Sequence, residues 1–149
     1  MAIDPRLHET LNDIRRAAGA FTDPWWVMGS AAAMLAGAEI DNVQDVDLLL
    51  SARDAEILAD RWRDCLLPTP ENSDRYRSRP FYRFRRALEV EAMANFEIRR
   101  ASAWQSVIPH SRKLADGLPI AEPAEQVALL EIFDRPKDRA RINALRALT

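Results

Sequence analysis

The six residues "DVDLLL" at positions 45–50 put two aspartates into what otherwise reads as a buried apolar strand, and this conflict limits the folds open to the chain. The stretch "VQDVDLLLS" alternates in its first half and closes on an apolar run, which is a strand pattern. Side chains two apart on a strand project from the same face, so Asp45 and Asp47 stand together with Cβ atoms about 6–7 Å apart. Like charges this close repel unless a cation joins them, and the pair could grip one or two divalent ions.

The residues upstream supply a second ingredient. "WWVM" is a short run of aromatic and β-branched residues ended by Gly29, and "SAAAMLAG" follows with strong helix formers, Ser30 as its expected N-cap and Gly37 as its stop. A glycine-serine turn between a strand and a helix start offers free backbone N–H groups to phosphate and lets a ligand come close to the backbone. Mg²⁺ is held by a few carboxylates together with substrate phosphates, so the turn and the acids belong to one chemistry.

The rest of the chain frames these parts. Leu7, Leu11, Ile14 and Ala18 mark one face of a helix from Pro5 to Ala18, with Asp4 as cap. "ARDAEILADRWRDCLL" has helical spacing through Ala55, Leu58, Ala59, Trp62 and Leu66. After the loop "PTPENSD", the segment "RYRSRPFYRFRRALEVEAM" sets Tyr82, Phe84, Leu88 and Val90 on one parity and Arg83, Arg85, Glu89 and Glu91 on the other. It is either one long strand or two joined by a tight turn near Arg86 and Ala87. The pattern is weak from Ala101 to Pro119, and two helices broken near Pro136 end the chain. The expected order is α-β-α-β-α-β(β)-α-α in a single domain over residues 1–149, with a core at about 20–100 and a C-terminal helical part at about 101–149.

Composition narrows the function. With 149 residues, 48% of them apolar, the chain can bury roughly 70% of its unfolded surface in one core. The formal net charge of −2 removes the overall basic excess that drives nonspecific nucleic-acid binding. One cysteine allows no internal disulfide, and two distant histidines build no zinc cluster, which fits a reducing cytoplasm. No apolar run approaches the roughly 20 residues that span a bilayer, so no membrane association is expected. The six arginines between Arg75 and Arg86 leave two readings open: a solvated strand face, or a surface for a nucleic-acid backbone or a triphosphate. The alternating aromatics Tyr76, Tyr82 and Phe84 favour the first.

"VMGS", "QDVDLL" and "VEAM" occur in the order found in the nucleotidyltransferase superfamily related to DNA polymerase β, and the chain resembles its minimal members from about Trp25 to Met93. "RPKDRARI" is similar to a C-terminal helix motif of some members, with Arg141 where an aspartate is expected. The resemblance implies an α/β (α+β) nucleotidyltransferase fold: a short mixed sheet flanked by helices, with C-terminal helices. It implies transfer of an NMP from a nucleoside triphosphate, the NTP substrate, to an acceptor hydroxyl with Mg²⁺ or Mn²⁺. Gly29, Ser30 and Lys137 fall on the triphosphate, Asp45 and Asp47 on two metal ions, and Glu91 on the metal that activates the acceptor, with Glu89 in reserve. The acceptor is unspecified: a small molecule, a nucleic-acid end or a protein hydroxyl, with a partner protein as one source of specificity. The rival reading is a noncatalytic, antitoxin-like protein-binding module on the same scaffold.

Overall fold

The structure, a computed structural model, describes residues 3–148. It opens with α1 (Pro5–Ala18), where the Asp4 carboxylate accepts the Arg6 backbone N–H at 2.8 Å and Leu7, Leu11 and Ile14 turn inward. β1 (Trp26–Met28), α2 (Gly29–Leu35), β2 (Asp45–Leu50) and α3 (Ala52–Arg61) follow as a strand-helix unit repeated. Then come the short strands β3 (Leu66–Leu67) and β4 (Tyr76–Arg77), followed by β5 (Phe81–Phe84) and β6 (Glu89–Ala94). β7 (Glu97–Arg100), β8 (Ala103–Ser106), β9 (Lys113–Ala115) and β10 (Leu118–Ile120) lead to α4 (Pro123–Phe133) and α5 (Asp138–Arg146).

The central sheet has the order β1-β2-β6-β5-β3 and is mixed: β2 and β6 run parallel, and every other neighbouring pair runs antiparallel. A parallel pair needs a long crossover, and the chain from α3 through β5 provides it. The main core lies between the sheet and α1, α2 and α3, where Ile14, Val27, Val46, Leu48, Phe84 and Val90 are fully buried. A smaller core joins Ala33, Ile98, Leu130, Phe133 and Leu145 beneath the three-stranded sheet β4-β7-β8 and the last two helices. The fold is thus a short mixed sheet flanked by helices, with helices at the C-terminal end. No helix of the described residues is long and apolar enough to cross a membrane.

Three local expectations need correction. Ser30 does not cap α2: the helix starts at Gly29 after extended Met28 with no side-chain cap, and Ser30 sits inside it, 6% exposed. Leu66 does not extend α3. The helix ends at Arg61, a 3-10 turn covers Arg63–Cys65, and Leu66 pairs with Phe84 at the sheet edge, so that backbone groups of β5 are satisfied. The segment after Ala101, where the pattern is weak, holds three short strands before the helices begin. Of the two options for the alternating segment, the structure takes the second: β5 and β6 form an antiparallel pair around Arg86 and Ala87.

Candidate active site

The parallel pairing of β2 and β6 sets Asp45 opposite Glu89 and Asp47 opposite Glu91, and the two-residue period places all four acids on one face. Three of them converge. Asp45, Asp47 and Glu91 each offer a carboxylate oxygen, and these oxygens lie within 4.8 Å of one another. Glu89 is engaged elsewhere: Arg83, from β5, donates to it at 2.9 and 2.7 Å as a two-point fork, which holds its pKa below the ordinary glutamate value.

Gly29 closes the cluster from the β1 side. Met28 is the register partner of Asp47, and Gly29 follows it at φ 66°. A Cβ at this position would stand 2.9 Å from Asp47 Oδ2, so the left-handed backbone and the close approach both call for glycine.

The electrostatics of the cluster are unbalanced. Burial, reinforced by the negative charges of Asp45 and Glu91, pushes Asp47 well above the usual carboxylate range. Burial raises Glu91 too, against the opposing effect of its hydrogen bond with Asp47 and with help from the Asp45 and Glu89 charges. Asp47 Oδ1 is shut off from solvent and has no hydrogen-bond partner among the described residues. A buried acceptor left unpaired costs about 1–3 kcal/mol, so this atom fits a ligand. Three oxygen donors around it are the set that hard divalent cations take, and Asp45, Asp47 and Glu91 would hold such an ion.

A cleft of about 270 Å³ opens beside the acids, and Gly29, Asp47, Glu91, Tyr76, Phe133 and Arg135 are among the residues that line it. Tyr76 stacks on Phe96 with ring centroids 6.1 Å apart, and Phe133 meets Tyr76 edge-on at the same distance. The Tyr76 hydroxyl is likewise buried with no partner among the described residues. Arg135 lies over Phe133, 5.2 Å from the ring centre. Burial opposes its charge, but Asp138, with contributions from Tyr76 and Asp47, holds its pKa above the ordinary arginine value.

Asp45, Asp47, Glu91 and Gly29 are therefore brought together, whereas two other expected residues stand aside. Ser30 is buried in α2 and Lys137 is exposed ahead of α5, and neither lines the cleft. Phe133 and Arg135 escape the sequence reading, and Tyr76, read there as one of the alternating aromatics of a strand, lines the cleft. Arg135 carries one usable signal, an aspartate three residues later in "RPKDRARI".

No family model and no curated protein sequence matches the chain. Solved structures do. A proposed nucleotidyltransferase from Thermotoga maritima superposes with a TM-score of 0.77 at 16% identity, over 99% of this chain and 97% of that one. A lincomycin-bound lincosamide antibiotic adenylyltransferase gives 0.65 at 10% identity, with both chains fully covered. ANT(2'')-Ia in complex with adenylyl-2''-tobramycin gives 0.58 at 14%, over 98% of this chain and 91% of that one. At these identities the likeness establishes the architecture, and the chain has the nucleotidyltransferase fold.

Proposed function

We propose that the protein transfers a nucleoside monophosphate from a nucleoside triphosphate to the hydroxyl of an acceptor, with Asp45, Asp47 and Glu91 as ligands for divalent cations. The observation that carries this reading is the buried, unpartnered Asp47 Oδ1 within a convergent set of three carboxylates. Such a cluster destabilises the fold on its own and is useful when a cation fills it. When bound, a pair of Mg²⁺ ions lowers the pKa of the acceptor hydroxyl and neutralises the departing pyrophosphate.

The chain's own residues supply position. Gly29 keeps the β1–α2 turn clear of Asp47 so that a ligand can approach, and the Arg83 fork keeps Glu89 engaged apart from the three converging acids. Tyr76 and Phe133 give the cleft an aromatic lining. In the reaction the acceptor oxygen bonds to the α-phosphorus, the bond from that phosphorus to the β-phosphate oxygen breaks, and the hydroxyl proton passes to water. Phosphoryl transfer of this kind depends mainly on alignment and charge.

Two of the superposed structures hold a small hydroxylated antibiotic or its adenylylated form, which makes small hydroxylated molecules the first acceptors to try. The test uses nucleoside triphosphates labelled on the α-phosphate, Mg²⁺ or Mn²⁺, and an acceptor panel of lincosamides, aminoglycosides, RNA ends and copurifying proteins. Wild type should transfer label. Glu91→Gln should keep nucleotide binding and lose transfer by several orders of magnitude, while Glu89→Gln should be mild. Nucleotide binding without transfer to any acceptor, and with no effect of either substitution, would favour the binding-module reading.

A further inference from the structure

Arg135 lies in the connection between α4 and α5, where Asp134 reverses the chain in a left-handed conformation (φ 51°, ψ 48°). The next helix begins with Asp138, which is 0% exposed. Arg135 donates to it from Nε at 2.7 Å and from Nη2 at 3.0 Å, and Arg141 adds a third bond at 3.2 Å. Asp138 is thus an anchor held from two sides, and Arg141, standing where the resembling motif has an aspartate, is part of it.

A guanidinium has five N–H donors in a rigid fork. Asp138 takes two of those on Arg135. The other three make no hydrogen bond to any described residue, although the side chain lines the cleft that also exposes Asp47 and Glu91. Arg135 feels the Asp47 charge but forms no ion pair with it; its ion pair is with Asp138. The cleft therefore presents a fixed cation with unused donors together with a cation-demanding carboxylate cluster. A ligand that suits both features is an anion able to bridge a carboxylate-bound metal to an arginine, and a polyphosphate has this form.

We propose that Arg135 grips the two phosphates that are not transferred, with Asp138 and Arg141 as positioning residues. This rests on the nucleotide reading of the cleft. It gives the basic role to Arg135 in place of Lys137, which is exposed and does not line the cleft.

The test is calorimetric titration of the full chain, in Mg²⁺, with ATP, AMP and inorganic pyrophosphate, and with Mn²⁺ alone as a separate arm. Arg135→Gln keeps a donor for Asp138 and loses the charge; Arg135→Lys keeps the charge and loses the fork. The Gln variant should weaken ATP and pyrophosphate by roughly tenfold or more and leave AMP and Mn²⁺ within about threefold. The Lys variant should recover only part of the loss, and Asp138→Asn should show the same selective pattern more weakly. An arginine that merely props the fold would not separate ATP from AMP. Should Arg135→Gln fail to fold, the Lys variant alone decides, because full ATP affinity in it removes the need for the fork. Wild-type affinity for ATP and pyrophosphate in the Gln variant overturns the assignment and leaves the nucleotide reading standing. Equal weakening of AMP and ATP moves the arginine to the α-phosphate and also overturns it. A wild type that binds neither ATP nor pyrophosphate overturns both readings.

Discussion

Asp47 is the residue at which stability and chemistry oppose one another. It is hemmed in by Asp45 and Glu91, and Arg135 is the basic residue whose charge reaches it among the described residues. Its folded-state pKa is raised, so the folded chain holds a proton that the unfolded chain releases. The sign follows from linkage: the favourable contribution is complete below the ordinary aspartate value of 3.8 and is lost as pH rises through the raised one. Metal-free Asp47→Asn should therefore melt higher than wild type at pH 8, by about 2–4 °C for each kcal/mol of relieved repulsion, and the advantage should vanish near pH 4. Thermal melts of both proteins across this range, with chelator present, check it. A wild type that melts at or above the variant at pH 8 would show that the cluster is not repulsive. Added Mg²⁺ should close the gap by stabilising wild type alone.

At the scale of elements, the site depends on how β6 is held. Thr10 of α1 is fully buried; its hydroxyl donates to the Arg6 carbonyl at 2.7 Å and accepts the Leu88 N–H at 2.9 Å, just before β6 begins. Thr10→Val keeps the shape and orphans the Leu88 N–H, and should cost about 1–3 kcal/mol in urea unfolding. A loss below about 0.5 kcal/mol would mean that this tether does not matter. The acid strands are legible in the sequence because alternation and acid spacing point to the same faces. The choice between Glu89 and Glu91 is not, since both share a parity and only the reach of Arg83 across the β5–β6 pair separates them. β7 to β10 are invisible for a different reason: they are three or four residues long, and β8 and β9 are mostly exposed, so no alternation develops. Arg135 is hidden because its place in the cleft follows from the chain reversal at Asp134, which local spacing does not encode.

Across the whole molecule, most of the six clustered arginines are committed to partners within the fold. Arg75 donates to the Phe133 carbonyl, Arg77 pairs with Glu97, Arg83 with Glu89 and Arg86 with Asp13, so four of them staple elements together. Arg86 also lies over Trp62, 4.7 Å from the ring centre, which joins α1, the end of α3 and the β5–β6 turn. These commitments fit a net charge of −2 and favour a small-ligand cleft over a nucleic-acid track. The proposed function requires that the carboxylate cluster bind nucleotide through divalent cations. Calorimetric titration of ATP into wild type and into the Asp45→Asn, Asp47→Asn double variant, each with Mg²⁺ and with chelator, tests it most directly. Wild type should bind only when Mg²⁺ is present, and binding should weaken at least roughly a hundredfold in the double variant, about 2.7 kcal/mol. Equal binding with Mg²⁺ and with chelator, or a double variant that binds as wild type does, would contradict it.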